Sequence, residues 1–259
     1  MRPLLAGRSP AVVAALVVFE LLTWPRVALA QPQPQGAPAG TARTATPRTS
    51  IRNASNGEVA LERSAANRLV SAQRLLFDGR YADAVTAFDA LLDRADVRGI
   101  DTLTSLASHG MALAEAMMGH LTHARSLYEN VLRLPATSPV AAAADSIEAA
   151  VLTEQHTAAA SLLDRFAESH RSALAQQYVH SFRGLDLALG GKCTSAVAEV
   201  ARAVDVDRPI PQVVRGLCAA RAGRHAEAIV LRDSVLTNPL ADPLSWPMII
   251  ARGEALKIK

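Results

Sequence analysis

The sequence predicts an all-α fold: about five stacked helical hairpins and a C-terminal helix. Three observations carry that expectation. Apolar residues recur at intervals of three and four rather than two. Glycine and proline punctuate the chain at helix-length intervals. One spacing of glycine, apolar residue, alanine and bulky residue occurs four times along the 259 residues.

The N-terminus reads as an export signal. Arg2 and Arg8 give a positive start, Ala11 to Trp24 an apolar run, and Ala28-Leu29-Ala30 a small-x-small cleavage site. The run is short for a membrane span and Glu20 interrupts it. Cleavage therefore leaves no integral span; an uncleaved anchor is the alternative. Residues 31–52 follow as a linker. Gln31 to Ser50 holds four prolines and almost no large apolar residue, too little to order a chain. Repeats are expected over 53–240 and a capping helix over 241–259. Asn53-Ala54-Ser55 fits a glycosylation acceptor, a triplet frequent by chance.

Charge narrows the function classes. The chain has 27 basic and 24 acidic residues. Three of the basic and one of the acidic lie in residues 1–30, so the remainder is near balance. No dense basic block is present, which argues against nucleic-acid binding.

The repeat aligns on four glycines. Gly79 precedes Tyr81, Ala84, Phe88 and Leu91. Gly119 precedes Leu121, Ala124, Tyr128 and Val131. Gly191 precedes Cys193, Ala196, Val200 and Ala203. Gly223 precedes His225, Ala228, Arg232 and Val235. The interval between Gly119 and Gly191 is double length, so a worn copy is expected there, at Thr153 to Phe166, with His156, Ala159 and Leu163 in register. Physically, the glycine ends one helix in a left-handed turn. The alanine lets two helix axes approach, and the next bulky residue fills the groove between them. One such hairpin cannot cover its own apolar face, so neighbours must stack.

This pattern resembles the tetratricopeptide repeat family over roughly Asn53 to Pro239. Gly184 and Gly216, each seven residues before a turn glycine, sit at that family's small packing site, where Ala72 and Ala112 stand in the first two copies. The chain departs from the pattern at Arg68 and His180, which replace the first-helix aromatic, and at Arg232. The resemblance implies a right-handed α-solenoid whose first helices line a concave groove for a protein or peptide. Mapped onto it, the groove takes Gln73 and Phe77; His109, Leu113 and Met117; Tyr178, Phe182, Leu185 and Leu189; and Val213, Leu217 and Arg221. The stripe from Tyr178 to Leu189 is spaced as one helical face, and such a stripe is more often plain core.

Chemistry-bearing motifs are few. Gly190-Gly191-Lys192 lacks the second glycine of a phosphate loop, and Cys193 stands where Ser or Thr belongs. His120 and His123 have a spacing that suits a metal, with no carboxylate nearby in sequence to complete a site. No cofactor is implied. Cys193 and Cys218 are a candidate disulfide in an exported chain. Ser138-Pro139 and Asp242-Pro243 read as N-caps with proline at the first helical position. Leu244, Ile249, Ile250 and Leu256 then cover the last hairpin, and Lys257 and Lys259 suit a helix C-terminus. The expected role is a non-catalytic adaptor or assembly factor in the bacterial periplasm or envelope. An enzyme whose site assembles only in three dimensions and a homo-oligomeric structural protein are the alternatives.

Overall fold

A computed structural model describes residues 51–94, 101–134, 138–203, 205, 208–239 and 241–259. The expected export segment and nearly all of the linker lie outside the described residues. The chain divides into two compact units, 1–63 and 64–259. In the first, the backbone of 51–63 is helical. All that follows concerns the second.

The described residues form eleven helices and no strand. They are α1 (Ile51–Phe77), α2 (Tyr81–Leu92), α3 (Asp101–Met117), α4 (Leu121–Val131), α5 (Pro139–Leu152), α6 (His156–Ser169), α7 (Ala173–Leu189), α8 (Cys193–Val200), α9 (Pro209–Arg221), α10 (His225–Leu236) and α11 (Trp246–Leu256). From α2 to α10 each helix packs on its successor, and α5, α7 and α9 also pack in sequence on one another.

Five of the connections are the same turn. Gly79, Gly119, Gly191 and Gly223 have φ of 76°, 84°, 77° and 72°, and Glu154 adopts 57° at the equivalent point of the worn copy. The following amide bonds back five residues in every case: Arg80 to Leu75 O, His120 to Glu115 O, Gln155 to Ala150 O, Lys192 to Leu187 O and Arg224 to Ala219 O, at 2.8–2.9 Å. This closure satisfies a carbonyl that the helix end leaves orphaned. The next helix then starts two residues after the left-handed residue in all five.

The alanines behave as close-approach residues. Ala84, Ala124, Ala159, Ala196 and Ala228 are all fully buried. Phe88, Tyr128, Leu163 and Val200, four residues on, are buried over them at 0–1% exposure. Burying one such side chain contributes about 1.5–3 kcal/mol. A Cβ on Gly184 would lie 2.3 Å from Val200 Cγ1, and one on Gly216 2.9 Å from Ile258 Cδ1, so both small sites are needed for contact. Ser138 caps α5 by accepting from Ala141 N at 3.1 Å, with Pro139 at the first helical position.

The C-terminal element differs from expectation. Asp242 and Pro243 do not open it. Asp242 Oδ1 accepts from Leu244 N at 2.9 Å, which holds a turn, and the helix begins at Trp246 after Ser245. Ile249 and Ile250 are buried, while Leu256 is 47% exposed and meets the Gly79 turn instead of the last hairpin. The helix packs on α9 and α10 as a cap would. It also reaches α3, far back in the chain.

Candidate functional site

The long reach of α11 creates a seam against the first helices. Arg252 is its main tie. Its guanidinium lies 4.0 Å over the Phe77 ring. Its Nε donates to Phe77 O at 3.1 Å and its other arm to Leu236 O. One side chain therefore satisfies carbonyls at the ends of α1 and α10, where the helix dipole favours a cation. Gly253 permits the approach: a Cβ there would stand 2.4 Å from Met117 Sδ and 3.2 Å from Tyr81 Oη. Leu256 closes over the Gly79 turn. At the other end of the helix, Trp246 lies over His109 with ring centroids 4.7 Å apart.

Beneath Trp246 is a buried polar centre drawn from α3, α4, α5 and α7. His109 Nδ1 lies 3.5 Å from Asp145 Oδ1, and its Nε2 lies 3.5 Å from Glu148 Oε2. These are ion-pair distances, too long for well-made hydrogen bonds. The Tyr128 ring stands edge-on to His109 at 5.5 Å. Tyr178 donates to Ala144 O at 3.3 Å and stacks towards Phe182 at 4.4 Å. Burial alone would lower the His109 pKa, but the two carboxylates outweigh it and hold it above its ordinary 6.5. Burial raises Glu148 and Asp145 above their ordinary values, against the pull of His109. Burial also pushes the Tyr81 hydroxyl up to about 12, helped by Glu254.

The seam and the centre hold most of the buried side-chain atoms without a hydrogen-bond partner among the described residues. These are Tyr81 Oη, His109 Nε2, Tyr128 Oη, Glu148 Oε2 and Glu254 Oε2, with both amide atoms of Gln73 one turn before Phe77. Each such group costs about 1–3 kcal/mol relative to a satisfied one. Chemically the arrangement offers a base flanked by two acids, two phenols and two aromatic rings that accept a cation.

The expected groove residues separate into three sets. Phe77, His109 and Met117 all meet α11, Phe77 being half-buried and the other two buried. Tyr178, Phe182 and Leu185 are 3%, 1% and 0% exposed, packed within the array, and Leu189 is half-buried. Arg221 is exposed and donates to the Ala188 and Leu189 carbonyls, closing the end of α7. Cys193 and Cys218 are free thiols, and the Cys218 thiol is pushed up to about 12 by burial and by Cys193 beside it.

One expectation is corrected. His120 and His123 do have a carboxylate at hand: buried Glu115 lies 2.7 Å from His120 Nδ1 and 3.4 Å from His123 Nδ1. The carboxylate sits one helix earlier and is delivered by the turn. No group of three or more His, Cys, Asp or Glu that could hold a metal is found among the described residues.

Asp145, Glu148, Trp246 and Arg252 did not stand out in the sequence. A signal for one existed. Glu148 lies six residues before its turn residue, as Gln73, Leu113, Leu185 and Leu217 do before theirs. The missing turn glycine hid that register.

No family model matches the chain, and neither does any curated protein or solved structure. No helix among the described residues is long and apolar enough to cross a membrane.

Proposed function

We propose that the chain is an exported α-solenoid of the tetratricopeptide kind that binds a protein or peptide in the cell envelope, as a non-catalytic adaptor or assembly factor. The observation that carries this reading is the seating of a helix, α11, on Phe77, His109 and Met117, three positions at which the repeat pattern places a groove. A face that takes one helix of its own chain has the shape and chemistry to take another. The five equivalent turns support the solenoid, since equal turns stack equal hairpins.

Site-specific photo-crosslinking in the native cell tests it. A photoreactive residue at half-buried Phe77 is compared with one at Val230, which is 68% exposed on α10. A single envelope protein attached from Phe77 and not from Val230 is expected. The same adducts from both positions, or only self-adducts, would count against an adaptor.

A second reading, an enzyme, has one observation in its favour: His109 between two carboxylates, the arrangement of an oriented acid–base group. It is the weaker reading. His109 and Glu148 are 3% and 4% exposed, so a substrate reaches them only when Trp246 moves.

A further inference from the structure

The helix α11 has two unlike sides. Towards α9 and α10 it is an ordinary cap. Ala251 and Ala255, on the face away from Trp246 and Gly253, are fully buried, and Ile258 Cδ1 comes against Gly216. Towards α1–α3 the seam is narrow. It consists of Arg252 on Phe77, Gly253 against Met117 and Tyr81, Leu256 over Gly79, and Trp246 on His109. This second side leaves Tyr81 Oη and Glu254 Oε2 buried without a hydrogen-bond partner among the described residues, although Lys257 holds the other Glu254 oxygen at 2.7 Å. Opening the seam would give both atoms access to water or a polar ligand, so closure strands what opening would solvate. Apolar grip on one side and stranded polar groups on the other set where the structure gives way.

Charge indicates what enters. When the seam parts, Arg252 leaves Phe77, and Asp78, whose charge acts on Arg252, keeps its place at the end of α1. The opened face also carries Asp145 and Glu148 around His109. An aromatic ring, a helix-end carbonyl and carboxylates form a receptor for a cation. His109 adds a flat surface for a second ring, which Trp246 now covers.

We propose that α11 is a clasp. It stays on the last hairpin, parts from α1–α3, and so admits a partner segment bearing an Arg over Phe77 and an aromatic ring on His109, the two contacts α11 now makes itself. This rests on the scaffold reading and adds to it both the chemistry of the partner and the step that admits it. In α11 the two groups are six residues apart, about 9 Å along a helix.

The test uses the full chain. Spin labels on ketone-bearing residues at exposed Ala82 and Lys259 report the distance across the seam and leave both cysteines intact. The probe is a synthetic peptide of residues 242–259. In the wild type a short distance should dominate, with a longer minority. In Arg252→Glu the longer distance should dominate, by roughly 10 Å, one helix diameter. The peptide should bind Arg252→Glu at least tenfold more tightly than wild type, and a peptide with Arg252 replaced by Glu should not bind. One short distance in both proteins overturns the clasp. A long distance without peptide binding overturns the partner chemistry. If circular dichroism shows that Arg252→Glu loses helix, Trp246→Ala opens the same seam at its other end and takes its place. Failure of the scaffold reading looks different: the clasp opens and takes the peptide, yet no envelope protein crosslinks at Phe77.

Discussion

Exchanging the turn residues of two hairpins isolates a single physical quantity, the cost of a left-handed backbone. Glu154 sits at φ 57° where its four counterparts are glycine. A side chain in that region costs about 1–2 kcal/mol, because Cβ crowds the following carbonyl oxygen. Glu154→Gly removes the crowding but frees the unfolded chain, which returns roughly 0.4–1 kcal/mol. The net is a gain of about 0.5–1 kcal/mol. Gly119→Ala runs the exchange backwards. A Cβ on Gly119 meets nothing within 4 Å, so no packing change confounds it. It should lose about as much as Glu154→Gly gains. Gly79→Ala should lose more, since its Cβ would stand 2.7 Å from Leu256 Cδ1. Urea melts at constant slope read the differences as shifts in midpoint. A neutral or destabilised Glu154→Gly with wild-type helix content would refute the reasoning, because the third connection would then not be the same turn as the others.

Three further outcomes follow from the buried groups. His109, Glu148 and Asp145 all have folded-state pKa values above their ordinary ones, so the folded chain holds more protons than the unfolded chain across that window. Their contribution to stability is full at low pH. It begins to fall near the carboxylates' ordinary values of 3.8 and 4.5 and is gone once the pH has passed the raised value of His109. Melts from pH 5 to 8 should show a loss that His109→Gln with Glu148→Gln abolishes; an equal slope in the variant contradicts it. Tyr128→Phe deletes a buried hydroxyl that has no partner and should be neutral or stabilising by up to about 1 kcal/mol in the same melts. A loss above that would mean the hydroxyl is satisfied. Oxidised glutathione should join Cys193 to Cys218 with loss of two hydrogens, read as a mass decrease of about 2 Da on intact protein, because the two thiols are neighbours. Two glutathione adducts instead would place them too far apart.

Local rules made the array legible, and long-range ones hid the site. The left-handed turns, the small alanines and the helix starts follow from contacts within one hairpin, and the offset pattern from Gly79 to Leu91 already encodes them. Even the worn copy was legible from phase alone, and Glu154 took the turn where glycine was missing. The double role of α11 was not legible. Nothing in the spacing of Trp246 and Arg252 says that they reach His109 and Phe77, more than 130 residues earlier. The centre was hidden for a related reason. His109 pairs with Asp145 and Glu148 from the copy whose turn glycine is absent, so the register that would have aligned Glu148 with the inner positions was not anchored. Glu115 is not legible from the spacing of His120 and His123, because it stands on the helix before and the turn brings it back to them.

The most direct test of the scaffold account is the native mass of the full chain isolated gently from its own cells. The account predicts the chain together with one other protein in fixed ratio, a complex made more abundant by Arg252→Glu. A mass equal to the chain alone, or to multiples of it, in both wild type and variant would contradict the account.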